Sequence, residues 1–219
     1  SILPKIVPRG SRLYAFIIRY FAKGLMKKAI LFDFFGVFCP DIGWAWLGEH
    51  MHDLEPEREG LSRLFHLLDS GAISCDLFFQ ALEKKFSIPG GRILAEMNQK
   101  AVLDKKLIRI VEKIKKDCLI GLLSNANEEW LNTILHAHHL HKYFDAIVVS
   151  SGIRYAKPNP RAFMHALSAL GVNAHEVVFI DDRESNVLAA RRLGLEGLVY
   201  RNAEHLEQAL SMQGILRDK

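Results

Sequence analysis

From Lys28 onward the chain alternates short runs of branched and aromatic residues with longer amphipathic stretches, and this alternation constrains the fold more than any other feature. The runs Ala29–Phe34, Leu119–Leu123, Ala146–Val149, Val177–Ile180 and Gly197–Tyr200 are too short for helices and read as buried strands. Between them the apolar spacing predicts helices over Asp104–Lys116, Glu128–His138, Pro160–Leu170, Glu184–Leu193 and Glu204–Met212. Parallel neighbours need crossover connections that pack on the sheet faces. The expected architecture is therefore α/β, a doubly wound, Rossmann-like parallel sheet.

One segment breaks the rhythm. Residues 41–103 carry only helical patterns, over Trp44–His52, Glu57–Leu68, Cys75–Phe86 and Arg92–Val102, with breaks at Glu55-Pro56, Ser70-Gly71 and Pro89-Gly90-Gly91. This predicts a four-helix cap inserted after the first strand. The expected division is a core of residues 26–40 and 104–219, a helical cap over 41–103, and a basic leader over 1–25.

The leader explains the net charge of +4. It holds Lys5, Arg9, Arg12, Arg19 and Lys23 with no acid, and without these five the chain has 24 bases against 25 acids. Nucleic acid is therefore not an expected partner. The apolar stretch Tyr14–Ile18 is shorter than a signal-peptide core of about 7–15 residues. Val7–Ser11 is close to the protease-site linkers of recombinant expression, and the domain is expected to begin near Met26; the other reading is a native basic extension with an amphipathic helix at Arg12–Lys23. No apolar run approaches the roughly 18 residues of a transmembrane helix. Cys39, Cys75 and Cys118 are odd in number and lack metal-like spacing, which points to a reducing, cytoplasmic location.

Open parallel sheets bind ligands beyond the carboxyl ends of their strands, so the polar residues after each apolar run are the candidate site. Asp33 lies in the end of the first run, Ser124-Asn125 follow the second and Asp181-Asp182 the fourth, while Lys157 precedes Pro158 in the intervening loop. Three carboxylates at neighbouring strand ends repel one another unless a cation neutralises them, and an all-oxygen set suits Mg²⁺. A lysine and a hydroxyl facing the same point suit a phosphoryl group, with Asp33 as candidate nucleophile.

These four elements, in this order from Lys28 to about Arg201, resemble the haloacid dehalogenase-like hydrolase superfamily. Gly71-Ala72-Ile73-Ser74 before Phe78 and Leu82, and Leu140 with Tyr143-Phe144-Asp145, extend the resemblance. It implies that Asp33 forms an aspartyl intermediate and also binds Mg²⁺. Ser124 and the backbone N–H of Asn125 would hydrogen-bond the phosphoryl group of a small phosphorylated molecule, and Lys157 would bridge it to Asp33. Asp182 would ligate the metal directly with Asp181 close beside it, Asn186 would support that loop, and the Phe35 carbonyl would complete the set.

Phe35 is also the departure from pattern. Phosphatases that this chain resembles carry a second Asp there as general acid and base, a role worth about 10²–10⁴ in rate. Three readings follow: a weakened phosphohydrolase specialised for leaving groups that need little protonation, a dehalogenase, or a catalytically silent phosphate- and metal-binding module. The Asp181-Asp182 pair disfavours dehalogenation, because the family's dehalogenases need no metal. Trp44, just beyond the first motif, is a candidate for the substrate pocket. His136, His138, His139 and His141 read as a cationic helix C-terminus rather than a metal site.

Overall fold

A computed structural model describes residues 27–216. Strands β1 (Ala29–Phe32), β2 (Leu119–Ser124), β3 (Ala146–Val149), β4 (Val177–Asp181) and β5 (Glu196–Val199) form one sheet in the order β3-β2-β1-β4-β5. All four pairings are parallel, with Phe32 level with Leu122 on one side and Ile180 on the other. That register puts the next residues, Asp33 and Asp181, side by side at the carboxyl edge, where the Asp33 N–H donates to the Ile180 carbonyl at 2.8 Å.

Side chains alternate across the sheet, and both faces are buried. Ile30, Phe32, Ile120, Leu122, Val178 and Ile180 join one core; Leu31, Leu123 and Phe179 join the other. The first face is covered by α5 (Lys105–Ile114), α6 (Glu128–Ala137) and α10 (Ala203–Met212), the second by α8 (Pro160–Leu170) and α9 (Glu184–Arg192). Helix α5 shows the cause in its sequence: Leu107, Ile110, Val111 and Ile114 form one apolar stripe, and Asp104 caps its first amides. At α8, Asn159 caps, Pro160 occupies the first turn, and Gly171 ends the helix at φ +66°.

The insertion between β1 and β2 consists of α1 (Ile42–His50), α2 (Arg58–Asp69), α3 (Cys75–Phe86) and α4 (Gly90–Gln99). Trp46 is fully buried in it, edge-on to Phe86, with its indole N–H donating to Glu96 at 2.8 Å. Phe78, Leu82, Ile93 and Met97 continue into the first-face core. Trp130 of α6 reaches across and donates to Asn98 at 2.8 Å.

The differences from expectation have local causes. Strand β1 stops at Phe32, not Phe34, because Phe38 N–H bonds back to the Phe34 carbonyl and Gly36 N–H to Cys39; Phe34 is apolar because it is core, not because it is strand. Helix α1 begins at Ile42 because Asp41 is its cap. Helix α4 starts directly after Pro89, with Gly90 and Gly91 in its first turn, and ends at Gln99. A one-turn helix, α7 (Ser150–Ile153), has no counterpart among the expected elements. The leader lies outside the described residues, as does the expected start at Met26. Among the described residues no helix is long and apolar enough to cross a membrane.

Candidate active site at the carboxyl edge of the sheet

The β1 and β4 ends bring two buried carboxylates together, and a buried lysine separates them. Lys157 Nζ lies 2.7 Å from Asp33 Oδ1 and 2.7 Å from Asp181 Oδ2. Asp33 also accepts from the Phe34 amide at 2.7 Å. Asp181 is fully enclosed and saturated: Asn186 Nδ2 reaches both its oxygens at 3.0 Å, and the Arg183 amide donates to Oδ1 at 2.8 Å.

One lysine for three carboxylates leaves the cluster negative. Burial pushes the Asp33 carboxyl up to about 7 against the opposing pull of Lys157. Asp182 is also pushed up, first by burial and then by the Asp181 charge. Oxygens of Asp33, Asp181 and Asp182 all lie within 4.8 Å of one another. An all-carboxylate set with excess negative charge fits a hard divalent cation. Among the described residues it is also the only His, Cys, Asp or Glu group that converges in this way; His136 and His141 merely pair their rings at 4.1 Å.

Two residues hold this arrangement without touching the cluster's centre. Gly36 sits at φ +85°, and a Cβ there would run into the Asp182 carboxylate. Asn125 clamps the Lys157 backbone from both sides: its side-chain oxygen accepts from the Lys157 amide at 2.7 Å and its amide donates to the Lys157 carbonyl at 2.8 Å. Its side chain therefore positions the lysine, a role separate from the backbone N–H expected of it. Ser124 is fully buried, and its hydroxyl has no hydrogen-bond partner among the described residues. A buried hydroxyl without a partner costs free energy unless something else satisfies it.

Above the cluster lies a cavity of about 230 Å³. Asp33, Phe35, Asn125 and Lys157 line its floor, while Trp44, Phe65 and Asp69 come from the insertion. Ser124 does not line it; the three residues that follow do. Phe35 lies in the turn after β1, edge-on to Phe34 at 5.0 Å. Trp44 stacks on Phe65 at 5.8 Å, with the Arg58 guanidinium over its ring at 5.2 Å.

Sequence reasoning missed Asp41, Asp69, Arg183 and Trp130, all in the cavity wall. Asp41 caps α1 and lies 3.5 Å from Arg183. Asp69 is the last residue of α2, and burial followed by the Asp41 charge pushes it up to about 7. The visible signal was the break at Ser70-Gly71, which places Asp69 at a helix end.

Known proteins resemble this chain to different extents. The chain is 26% identical over 206 residues to D-ribitol-5-phosphate phosphatase of Bacteroides thetaiotaomicron, covering 85% of this chain and 98% of that one. It is 32% identical over 85 residues to (S)-2-haloacid dehalogenase 4A of Burkholderia cepacia, but that match spans only 38% of this chain and 37% of the dehalogenase. A solved enzyme of the haloacid dehalogenase family from Bacteroides thetaiotaomicron, complexed with magnesium and inorganic phosphate, superposes with a TM-score of 0.68 at 21% identity, covering 82% of this chain and 98% of that one. At that identity the likeness speaks for the fold. The family model for haloacid dehalogenase-like hydrolases spans residues 27–194, from two residues before β1 to two residues past α9. Every strand end of the acidic cluster falls inside that span, so the chain belongs to the haloacid dehalogenase-like hydrolases.

Proposed function

We propose that this chain is a Mg²⁺-dependent phosphohydrolase that removes the phosphoryl group from a small molecule through an aspartyl-phosphate on Asp33. The observation that carries the reading is the Asp33–Lys157–Asp181 bridge, at 2.7 Å on each side and beside Asp182, with Asp33 and Lys157 open to one cavity. Asp33 in its ionised form is a nucleophile; Lys157 favours that form against burial and offsets charge as the phosphoryl group moves in line. The Ser124 hydroxyl and the Asn125 backbone N–H would bind the phosphoryl oxygens, which gives the orphaned hydroxyl a partner. Asp33, Asp181, Asp182 and the Phe35 carbonyl would hold the Mg²⁺, with Asp182 as the direct ligand and Asp181 beside it. When bound, the ion neutralises charge on the phosphoryl oxygens.

The relatives favour phosphoryl chemistry, since one matched along nearly its whole length is named D-ribitol-5-phosphate phosphatase. Phe35 brings no proton to the leaving group, which makes this site a specialised version of the reaction. Trp44 and Phe65 would bound the organic part of the substrate.

The test is Mg²⁺-dependent release of phosphate from p-nitrophenyl phosphate and acetyl phosphate. Wild type is expected to turn over both, Asp33→Asn neither, and EDTA is expected to silence wild type. Release of halide from 2-haloacids without metal would move the reading to a dehalogenase. A wild type silent on both phosphates, with activity gained in Phe35→Asp, would replace it with a binding module.

A further inference from the structure

An alkoxide is a poor leaving group, and a phosphohydrolase that acts on alkyl esters needs a proton donor at the leaving oxygen. In-line displacement places that oxygen opposite the nucleophile. Asp33 stands on the sheet edge, so the leaving oxygen points toward the wall supplied by the helical insertion. Phe35 has nothing to donate there.

We propose that Asp69, at the end of α2, is the proton donor to the leaving oxygen and afterwards the base for the attacking water. The inference rests on the phosphohydrolase reading above. Asp69 lines the same cavity as Asp33 and Lys157. Its carboxylate forms no hydrogen bond or close ion pair among the described residues, unlike Asp41, which caps α1 and faces Arg183. It is also fixed in place from behind. The buried Ser150 hydroxyl, at the start of α7, hydrogen-bonds the Asp69 carbonyl, and the Arg154 guanidinium donates to the Gly71 carbonyl at 2.7 Å. Gly71 itself packs too closely on the Ser151 backbone to admit a side chain. The corner that bears Asp69 is thus docked on the core, although its helix belongs to the insertion.

Its surroundings keep the proton on. Burial raises its proton affinity most, and Asp41 from the β1–α1 loop adds to this; Arg183 after β4 and Lys157 before α8 oppose it more weakly. A carboxylate at a helix C-terminus faces the negative end of the helix dipole, which works in the same direction. His66, on the same face of α2, is exposed and also borders the cavity.

The steps balance. Asp33 Oδ forms a bond to phosphorus as the P–OR bond breaks, and the Asp69 carboxyl proton passes to RO⁻ to give ROH. Water then attacks the aspartyl-phosphate, its proton returns to Asp69, and phosphate leaves with Asp33 restored. The net reaction is ester plus water to alcohol plus phosphate, with no other reactant.

Leaving-group dependence tests the idea on the full chain with Mg²⁺. Wild type is expected to hydrolyse an alkyl phosphate such as glycerol phosphate as well as p-nitrophenyl phosphate. In Asp69→Asn the alkyl rate is expected to fall by about 10²–10⁴. p-Nitrophenol should still appear as a burst of one per site, followed by slow turnover, because that leaving group needs no proton but the intermediate still needs a base. Asp69→Glu should recover part of the alkyl rate, and a thermal melt checks that each variant is folded. A wild type active on p-nitrophenyl and acetyl phosphate but not on alkyl esters overturns the inference and leaves the phosphohydrolase standing. Equal losses on all substrates in folded Asp69→Asn, or the leaving-group signature appearing in His66→Gln instead, also overturn it. A wild type silent on every phosphate removes the phosphohydrolase reading and the inference with it.

Discussion

Lys157 stabilises the site by an asymmetry of charge. Two buried carboxylates share its ammonium group, and removing one partner of a buried ion pair leaves the others desolvated and unpaired, at about 3–5 kcal/mol. Lys157→Met is therefore expected to lower the melting temperature by roughly 10 °C, and Mg²⁺ should restore part of the loss by supplying positive charge. A melting curve unchanged by the substitution would mean that the carboxylates already hold protons in its place. Gly36 acts through shape. Gly36→Ala forces a side chain into a φ of +85° and against Asp182, costing about 1–2 kcal/mol in backbone strain alone. It should also weaken Mg²⁺ binding, which calorimetry would read directly. At this scale the sequence was most legible where a polar residue directly follows an apolar run: Asp33, Ser124, Asp181 and Asp182 all stand at strand ends for that reason. It was least legible for the Asn125 side chain, whose partner lies 32 residues away on the Lys157 backbone. No local pattern records such a contact.

Elements with a strong period were read nearly to the residue. Cys75–Phe86 and Pro160–Leu170 coincide with their expected bounds because each has both a capping residue and an apolar stripe. The turn after β1 was read as strand since Phe34 is as apolar as its neighbours, and period cannot separate a buried turn from a buried strand end. Helix α7 escaped for the opposite reason, being one turn long with no apolar face to announce it. Yet it carries Ser150, whose buried hydroxyl accepts from the Ala126 amide at 3.0 Å and donates to the Asp69 carbonyl. The sheet-edge loop and the insertion thus meet on one side chain. Ser150→Ala leaves a buried donor and acceptor unpaired, at about 1–3 kcal/mol. Hydrogen exchange should quicken at Ala126 and around Ser70 and Gly71 before the strands respond. Exchange that rises uniformly across the sheet would show instead that the corner unfolds only with the whole domain.

The whole molecule carries two opposed proton-linked effects, and together they tie its stability to metal. Asp33 and Asp69 rise from 3.8 to about 7 on folding. The folded chain therefore binds more protons than the unfolded one across that interval, and its stability falls as pH climbs through it. Glu176 behaves in reverse. Held down to about 2 by Lys28 and by hydrogen bonds from Asn173, it contributes fully above its ordinary 4.5 and loses that contribution as pH drops toward 2. On these three groups the metal-free protein should be most stable at about pH 4. Mg²⁺ binds only ionised carboxylates, so its stabilisation should be small at pH 5 and grow through pH 7. At a hundredfold excess over Kd it amounts to about 2.7 kcal/mol, or roughly 5–10 °C for a chain of this size. Melting curves from pH 4 to pH 8, with and without MgCl₂, would show the optimum moving upward when the ion is present, and Asp182→Ala should cancel that movement. A Mg²⁺ shift that is constant with pH, or that survives Asp182→Ala, would place the ion away from the cluster where β1 and β4 end.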